Sequence, residues 1–180
     1  MRRWILCLLL AGAGCASQDT AESADLGVTH DTPPPADAQQ PVFGCTAFNT
    51  RARQTWDARR TGEKYPRPAD TQGPRLYLEE TSAVPGFAKP GGTMQVLAQY
   101  AVLDAPPGFE VTEVRRLLRE GQAVAELSSV TGERANGTWI CTQELMLPVT
   151  MPRGDYAIEQ IFTWEGQEVR AISGFSVGSR

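Results

Sequence analysis

The segment Thr93–Leu103, TMQVLAQYAVL, places Met94, Val96, Ala98, Tyr100 and Val102 at every second position. A period of two lines such side chains along one face of a strand and scatters them around a helix. The segment is therefore expected to be a half-buried β-strand. The same alternation recurs in RLYLEE, with Leu76 and Leu78, and in GDYAIEQIFTW, with Tyr156 and Ile158 and then Phe162 and Trp164. Turn residues separate the runs. Arg119-Glu120-Gly121 and Glu165-Gly166-Gln167 each reverse the chain, and Asn136-Gly137 reads as a hairpin turn between ELSSV and TWICTQELML, because both residues tolerate positive φ. The stretch Val114 to Leu118 fits a strand or a helix alike. EVRAISGFSV reads as the last strand. About seven short strands with no long helix predict an all-β fold, a two-sheet sandwich.

Composition supports this class. The 17 glycines and 13 prolines suit a turn-rich fold better than a helical bundle, and 41% hydrophobic residues in 180 supply one modest core. The formal net charge of -4 gives no basic field for phosphate backbones, so nucleic acid is not expected as a partner.

The N-terminus reads as an export signal. Met1-Arg2-Arg3 is positive, Trp4 to Leu10 is a compact apolar run, and Ala11-Gly12-Ala13-Gly14 follows with small residues. The apolar run is far shorter than the ~20 residues a membrane-spanning helix needs. Gly12-Ala13-Gly14-Cys15 resembles the lipobox of bacterial lipoproteins. That resemblance implies cleavage after residue 14, a lipid on Cys15 and a place in the cell envelope, with Ala16 pointing to the outer membrane. Ala11-Gly12-Ala13 also fits an A-x-A site, which would release a soluble periplasmic product. The cysteine count bears on the choice. Cys7 leaves with the signal, and if Cys15 carries lipid, Cys45 and Cys141 remain as an even pair, expected to form a disulfide in an oxidising compartment.

Residues 15–40 form the lipidated cysteine and its linker. From Ala16 to Gln40 the chain carries Asp19, Glu22, Asp25, Asp31 and Asp37 and no Lys or Arg, with Pro33-Pro34-Pro35 at its middle. Too little apolar surface is present to offset ordering entropy, so a disordered tether is expected, with the sole histidine, His30, inside it. Residues 41–74 read as an N-terminal extension packed on a domain of residues 75–180. The extension includes a basic run, Arg51, Arg53, Arg59, Arg60, Lys64 and Arg67, with one short helix for which Thr50 is the candidate cap. Such a run is either a contact for anionic envelope polymers or lipid head groups or a solvated surface.

Pro152-Arg153-Gly154-Asp155-Tyr156, following Leu147-Pro148, resembles the tyrosine corner of Greek-key sandwiches. The resemblance is to immunoglobulin-like domains. It implies that Tyr156 lies in the core with its hydroxyl on the backbone just upstream, shaped by Pro152 and Gly154.

Catalytic signatures do not hold together. Gly174-Phe175-Ser176-Val177-Gly178 matches G-x-S-x-G, but a nucleophile elbow needs an acid and a histidine later in the chain. Arg153-Gly154-Asp155 and Asn136-Gly137-Thr138 are explained by their turns. Glu79 and Glu80 are neighbours on a strand and face opposite ways. No cofactor or metal site is implied. The expectation is a membrane-anchored, non-enzymatic interaction or scaffolding module of the envelope, with a protein partner. The alternative is a module binding peptidoglycan or another glycan through Trp56, Tyr65, Trp139 and Trp164, whose other role is core packing.

Overall fold

The computed structural model describes residues 43–178. The signal segment, Cys15 and the tether through residue 40 lie outside the described residues. Among the described residues nine strands and one short helix run in the order β1 (Thr46–Trp56), α1 (Ala58–Lys64), β2 (Arg75–Val84), β3 (Phe87–Ala88), β4 (Thr93–Leu103), β5 (Glu110–Arg119), β6 (Gln122–Glu133), β7 (Gly137–Met146), β8 (Gly154–Trp164) and β9 (Gln167–Val177). They form two stacked sheets, β1-β7-β4-β2 and β3-β9-β8-β5-β6. All pairs are antiparallel except β3 with β9.

This is the strand order of an immunoglobulin-like sandwich, in which A-B-E-D faces G-F-C. β2, β4 and β7 take the places of A, B and E, and β9, β8 and β5 those of G, F and C. β6 extends the second sheet beside β5. The place of D is filled from the N-terminal side by β1, which pairs with β7 from Thr46↔Met146 to Trp56↔Thr138. The strand therefore corrects the reading of residues 41–74 as an extension: it is a full member of the sheet. Thr50 lies in this strand and caps nothing. Asp57 caps α1 instead, its Oδ1 accepting the Arg60 N–H at 2.8 Å.

The turns work as local chemistry dictates, with one difference. Glu120-Gly121 and Glu165-Gly166 have positive φ at both residues and close the tight β5–β6 and β8–β9 hairpins. Asn136-Gly137 does not close a hairpin, because β6 and β7 belong to different sheets. Here the Asn136 side chain accepts from Ala105 N–H at 2.8 Å and donates to Ala105 O at 2.9 Å, pinning the crossing. Gly137, at φ +148°, runs so close to β1 that a Cβ would sit 2.5 Å from the Trp56 carbonyl oxygen.

Met94, Val96, Ala98, Tyr100 and Val102 are all buried, so the alternation of β4 faces the core. The interior divides into two apolar clusters. One gathers Met94, Val96, Leu117, Leu145, Tyr156, Ile158 and Phe175. The other gathers Leu76, Tyr100, Val102, Phe109, Val111, Phe162 and Trp164. Between them, three strands each place polar residues on the inner face: Glu113 and Arg115 on β5, Gln143 on β7 and Gln160 on β8. This belt stitches the sheets together. Gln160 Nε2 donates to Leu97 O at 2.9 Å, and Ser128 Oγ donates to Gln143 Oε1 at 3.1 Å.

At one end of the sandwich Tyr156 is buried, its ring edge-on to Phe43 and stacked on Phe175. Its hydroxyl donates to Pro152 O at 2.8 Å, and Gly154 holds φ +142° as the chain enters β8. That is the geometry of a tyrosine corner.

Candidate functional site

Two places concentrate ionisable groups: a cluster inside the sandwich and the outer face of the four-stranded sheet. Inside, the Glu113 carboxylate is surrounded by donors. Its Oε1 accepts from Tyr100 Oη and from Arg134 Nη2, both at 2.8 Å, and from the Cys141 thiol at 3.1 Å, while Oε2 accepts from Arg115 Nη2 at 3.2 Å. Arg134 Nε also reaches Tyr100 Oη at 2.7 Å, and its guanidinium lies over the Trp139 ring. Burial alone pushes the Glu113 carboxyl up, but the bonds from Arg134 and Cys141, the Arg115 charge and the Tyr100 hydroxyl together hold it below the usual carboxylate range. The Cys141 thiol is pushed up to about 12, by burial first and the Glu113 charge second. Burial likewise raises the Tyr100 hydroxyl, with Glu113 adding to it. One carboxylate here faces two guanidinium groups, Arg134 and Arg115, and Arg115 keeps its Nε and Nη1 buried without a partner among the described residues. The arrangement ties β5 of one sheet to β4 and β7 of the other.

The expected Cys45–Cys141 disulfide is corrected here: both thiols are free. Ala52 pairs with Cys141, and Cys45 lies seven residues before Ala52, just ahead of β1. At about 3.3 Å per residue the two sulfurs sit on the order of 20 Å apart along the strand, and a disulfide needs Cα atoms within about 7 Å. A cysteine count pairs thiols by number and carries no information on the register of β1 against β7, which sets them apart along the strand direction.

On the outer face, α1 lies across the sheet at the level of Trp56, Thr138, Ala101 and Tyr77, which are cross-strand neighbours in register. Thr61 Oγ1 meets Thr138 Oγ1 at 3.1 Å, and Tyr65 stacks on Tyr77 with centroids 5.0 Å apart. Arg60 covers the Trp56 ring at 4.1 Å. The ring faces named as glycan platforms are thus engaged within the protein: Trp56 under Arg60, Tyr65 on Tyr77, Trp139 under Arg134, and Trp164 in the core.

The six basic residues of the sequence reading separate into two groups. Arg59 pairs with Glu63, Lys64 with Glu79 at 2.9 Å, and Arg67 with Asp104. Arg51, Arg53 and Arg60 have no carboxylate partner among the described residues. Arg51 and Arg53 pair in register with Thr142 and Ile140, so all four side chains point outward on the same face. Together they line a groove of about 270 Å³. The next outward residue on β7, Glu144, is held by Asn49 Nδ2 at 3.2 Å. Among the described residues no cluster of three or more His, Cys, Asp or Glu side chains is placed to hold a metal ion, and no helix is long and apolar enough to cross a membrane.

No protein-family model matches the chain, and no curated protein matches it. Among solved structures the chain is similar to a family 123 glycoside hydrolase from Clostridium perfringens, at 9% identity and a TM-score of 0.43, over 75% of this chain and 28% of that one. It is similar to the alkylpurine DNA glycosylase AlkC of Pseudomonas fluorescens bound to DNA, at 10% identity and a TM-score of 0.42, over 58% of this chain and 30% of that one. The chain thus spans less than a third of the length of either. It is also similar to the titin M4 domain, at 19% identity and a TM-score of 0.31, over 58% of this chain and 95% of that one.

Proposed function

We propose that this chain is an envelope-tethered, non-enzymatic interaction module, anchored by a lipid on Cys15 and meeting its partner through the outer face of the four-stranded sheet. The observation that carries the reading is the contrast between the two ionic sites. Glu113 takes up the Tyr100, Cys141 and Arg134 donors inside the core, whereas Arg51 and Arg53 stand exposed with no carboxylate partner among the described residues. Unneutralised charge on an open sheet face suits recognition, since surface charges steer association and select partners more than they stabilise the fold. The small-residue run ending in Cys15 supports the anchor.

The test has two arms in a bacterium making the full chain with its own signal. Palmitate should label the wild type and not Cys15→Ser, and the wild type should partition into detergent. A photo-crosslinking residue at Thr142 should capture a discrete envelope component, while the same residue at Ile172, exposed on the other sheet, should not. An unlabelled, fully soluble wild type, or equal capture from both positions, rejects the reading.

A further inference from the structure

The groove between β1 and β7 has a lining with one chemical character. Arg51 and Arg53 offer guanidinium N–H donors, Thr142 offers a hydroxyl, and Ile140 gives an apolar floor. None of the three polar side chains makes a hydrogen bond or ion pair among the described residues, and no carboxylate lines the groove. Arg51 and Arg53 are two residues apart on a strand, hence about 7 Å between Cα atoms, a spacing that lets both side chains close on one small anion. A third cation, Arg60, lies on the same side of the sheet over Trp56. In a protein of net charge -4, this is a local excess of positive charge at a concave place.

Donors without acceptors select a ligand that only accepts. A tetrahedral phosphate has enough oxygens for two guanidinium forks and a hydroxyl at once, and the planar fork of arginine matches it bidentately. We propose that the Arg51–Arg53–Thr142 groove binds the phosphate group of an anionic phospholipid head group, so that the sheet face rests on the membrane surface to which the chain is tethered. The proposal deepens the reading of this face as the contact surface and rests on it. Ile140 would lie against the glycerol carbons, and the two arginines would carry the charge contact. The lipid source is favoured over a soluble phosphate because the basic side chains flank an open sheet face and do not enclose a cavity, and because β1 is, among the described residues, the strand nearest in sequence to Cys15.

The experiment uses the full chain carrying Cys15→Ser, mixed with vesicles of phosphatidylcholine alone or of phosphatidylcholine and phosphatidylglycerol in equal parts, and separately with glycerol 3-phosphate. Sedimentation with the phosphatidylglycerol vesicles should exceed that with phosphatidylcholine alone, and Arg51→Gln with Arg53→Gln should weaken it by about tenfold or more, the worth of one charge-assisted hydrogen bond. Arg59→Gln, which removes an exposed and already paired cation, should leave it within about twofold, because a screened surface charge contributes little. Binding of glycerol 3-phosphate alone, without vesicle binding, would overturn the lipid source. Equal vesicle binding by wild type and the double variant, or an equal loss in Arg59→Gln, would overturn the groove. Circular dichroism of the double variant should match the wild type, since neither arginine is buried. Palmitate labelling in the cell is unaffected by either result, so a failure of the groove is distinguishable from a failure of the anchor.

Discussion

Tyr156 shows how one residue can carry both packing and a directed bond. Its ring lies among Phe43, Phe175 and the apolar cluster around Met94 and Leu145, and its hydroxyl reaches Pro152 O. Tyr156→Phe should cost about 1 kcal/mol, the usual net worth of one hydrogen bond, and Tyr156→Ala several kcal/mol through the cavity it leaves. Urea melts with unchanged midpoints would rule the corner out. This residue was legible because its determinants are local: a proline, a glycine and a tyrosine within five positions. Cys45 and Cys141 were not, because their separation depends on the register of β1 against β7. Burial pushes the Cys45 thiol up to about 11, and burial with the Glu113 charge pushes Cys141 to about 12. A thiol acts as a nucleophile through its thiolate. At pH 8 a thiol-reactive disulfide reagent should therefore modify half-exposed Cys45 slowly and Cys141 only as fast as the protein unfolds. Rapid modification of Cys141 in the native state would contradict its place in the network.

Among the elements, β1 is the one whose role the sequence concealed. An edge strand buries little on either face, so its apolar alternation is weak. Ala52 and Gln54 face inward opposite Cys141 and Trp139, and both are exposed. Asn49, at φ 50°, adds a bulge that breaks the period. The arginines of the outer face then read as a separate basic segment. β4, central in its sheet, suffers neither dilution, and its period of two was plain. Yet β1 is bound to the rest: Thr50 Oγ1 accepts from Gln143 Nε2 at 2.9 Å, and Ala47, with Phe43 and Cys45 just ahead of the strand, packs on the cluster around Met94 and Leu145. A chain beginning at Asp57 should therefore expose the β7 edge, lose cooperative unfolding and associate. Gel filtration and thermal melts decide this: a monomeric, cooperatively folded truncation would restore the boundary at residue 75.

The molecule as a whole is two apolar clusters joined across a polar belt, and the strength of that joint depends on pH. Among the described residues Glu113 is the only carboxylate paired with Arg115 and Arg134, and it also accepts from Tyr100 and Cys141. No periodicity argument could have found it, because the alternation of β5 places Glu113 and Arg115 where apolar residues belong, and two of the donors to Glu113, Tyr100 and Cys141, come from the facing sheet. Removing one member of a buried ion pair leaves the other charged and desolvated, so Glu113→Gln should cost ~3–5 kcal/mol at neutral pH. The sign of the pH dependence follows from the depressed carboxyl. A group whose folded value lies below its unfolded one binds fewer protons when folded, so its stabilisation is complete above the unfolded value of about 4.3 and is lost as pH falls through the folded one. Wild type should weaken progressively on acidification below that point, and Glu113→Gln should lack this part of the slope, so that the two stability curves converge toward low pH. Urea midpoints measured at neutral pH and again near pH 3 test this directly. Parallel curves with a constant gap would mean that the carboxylate fills space without holding charge, and the belt would then owe its stability to Gln143 and Gln160 alone.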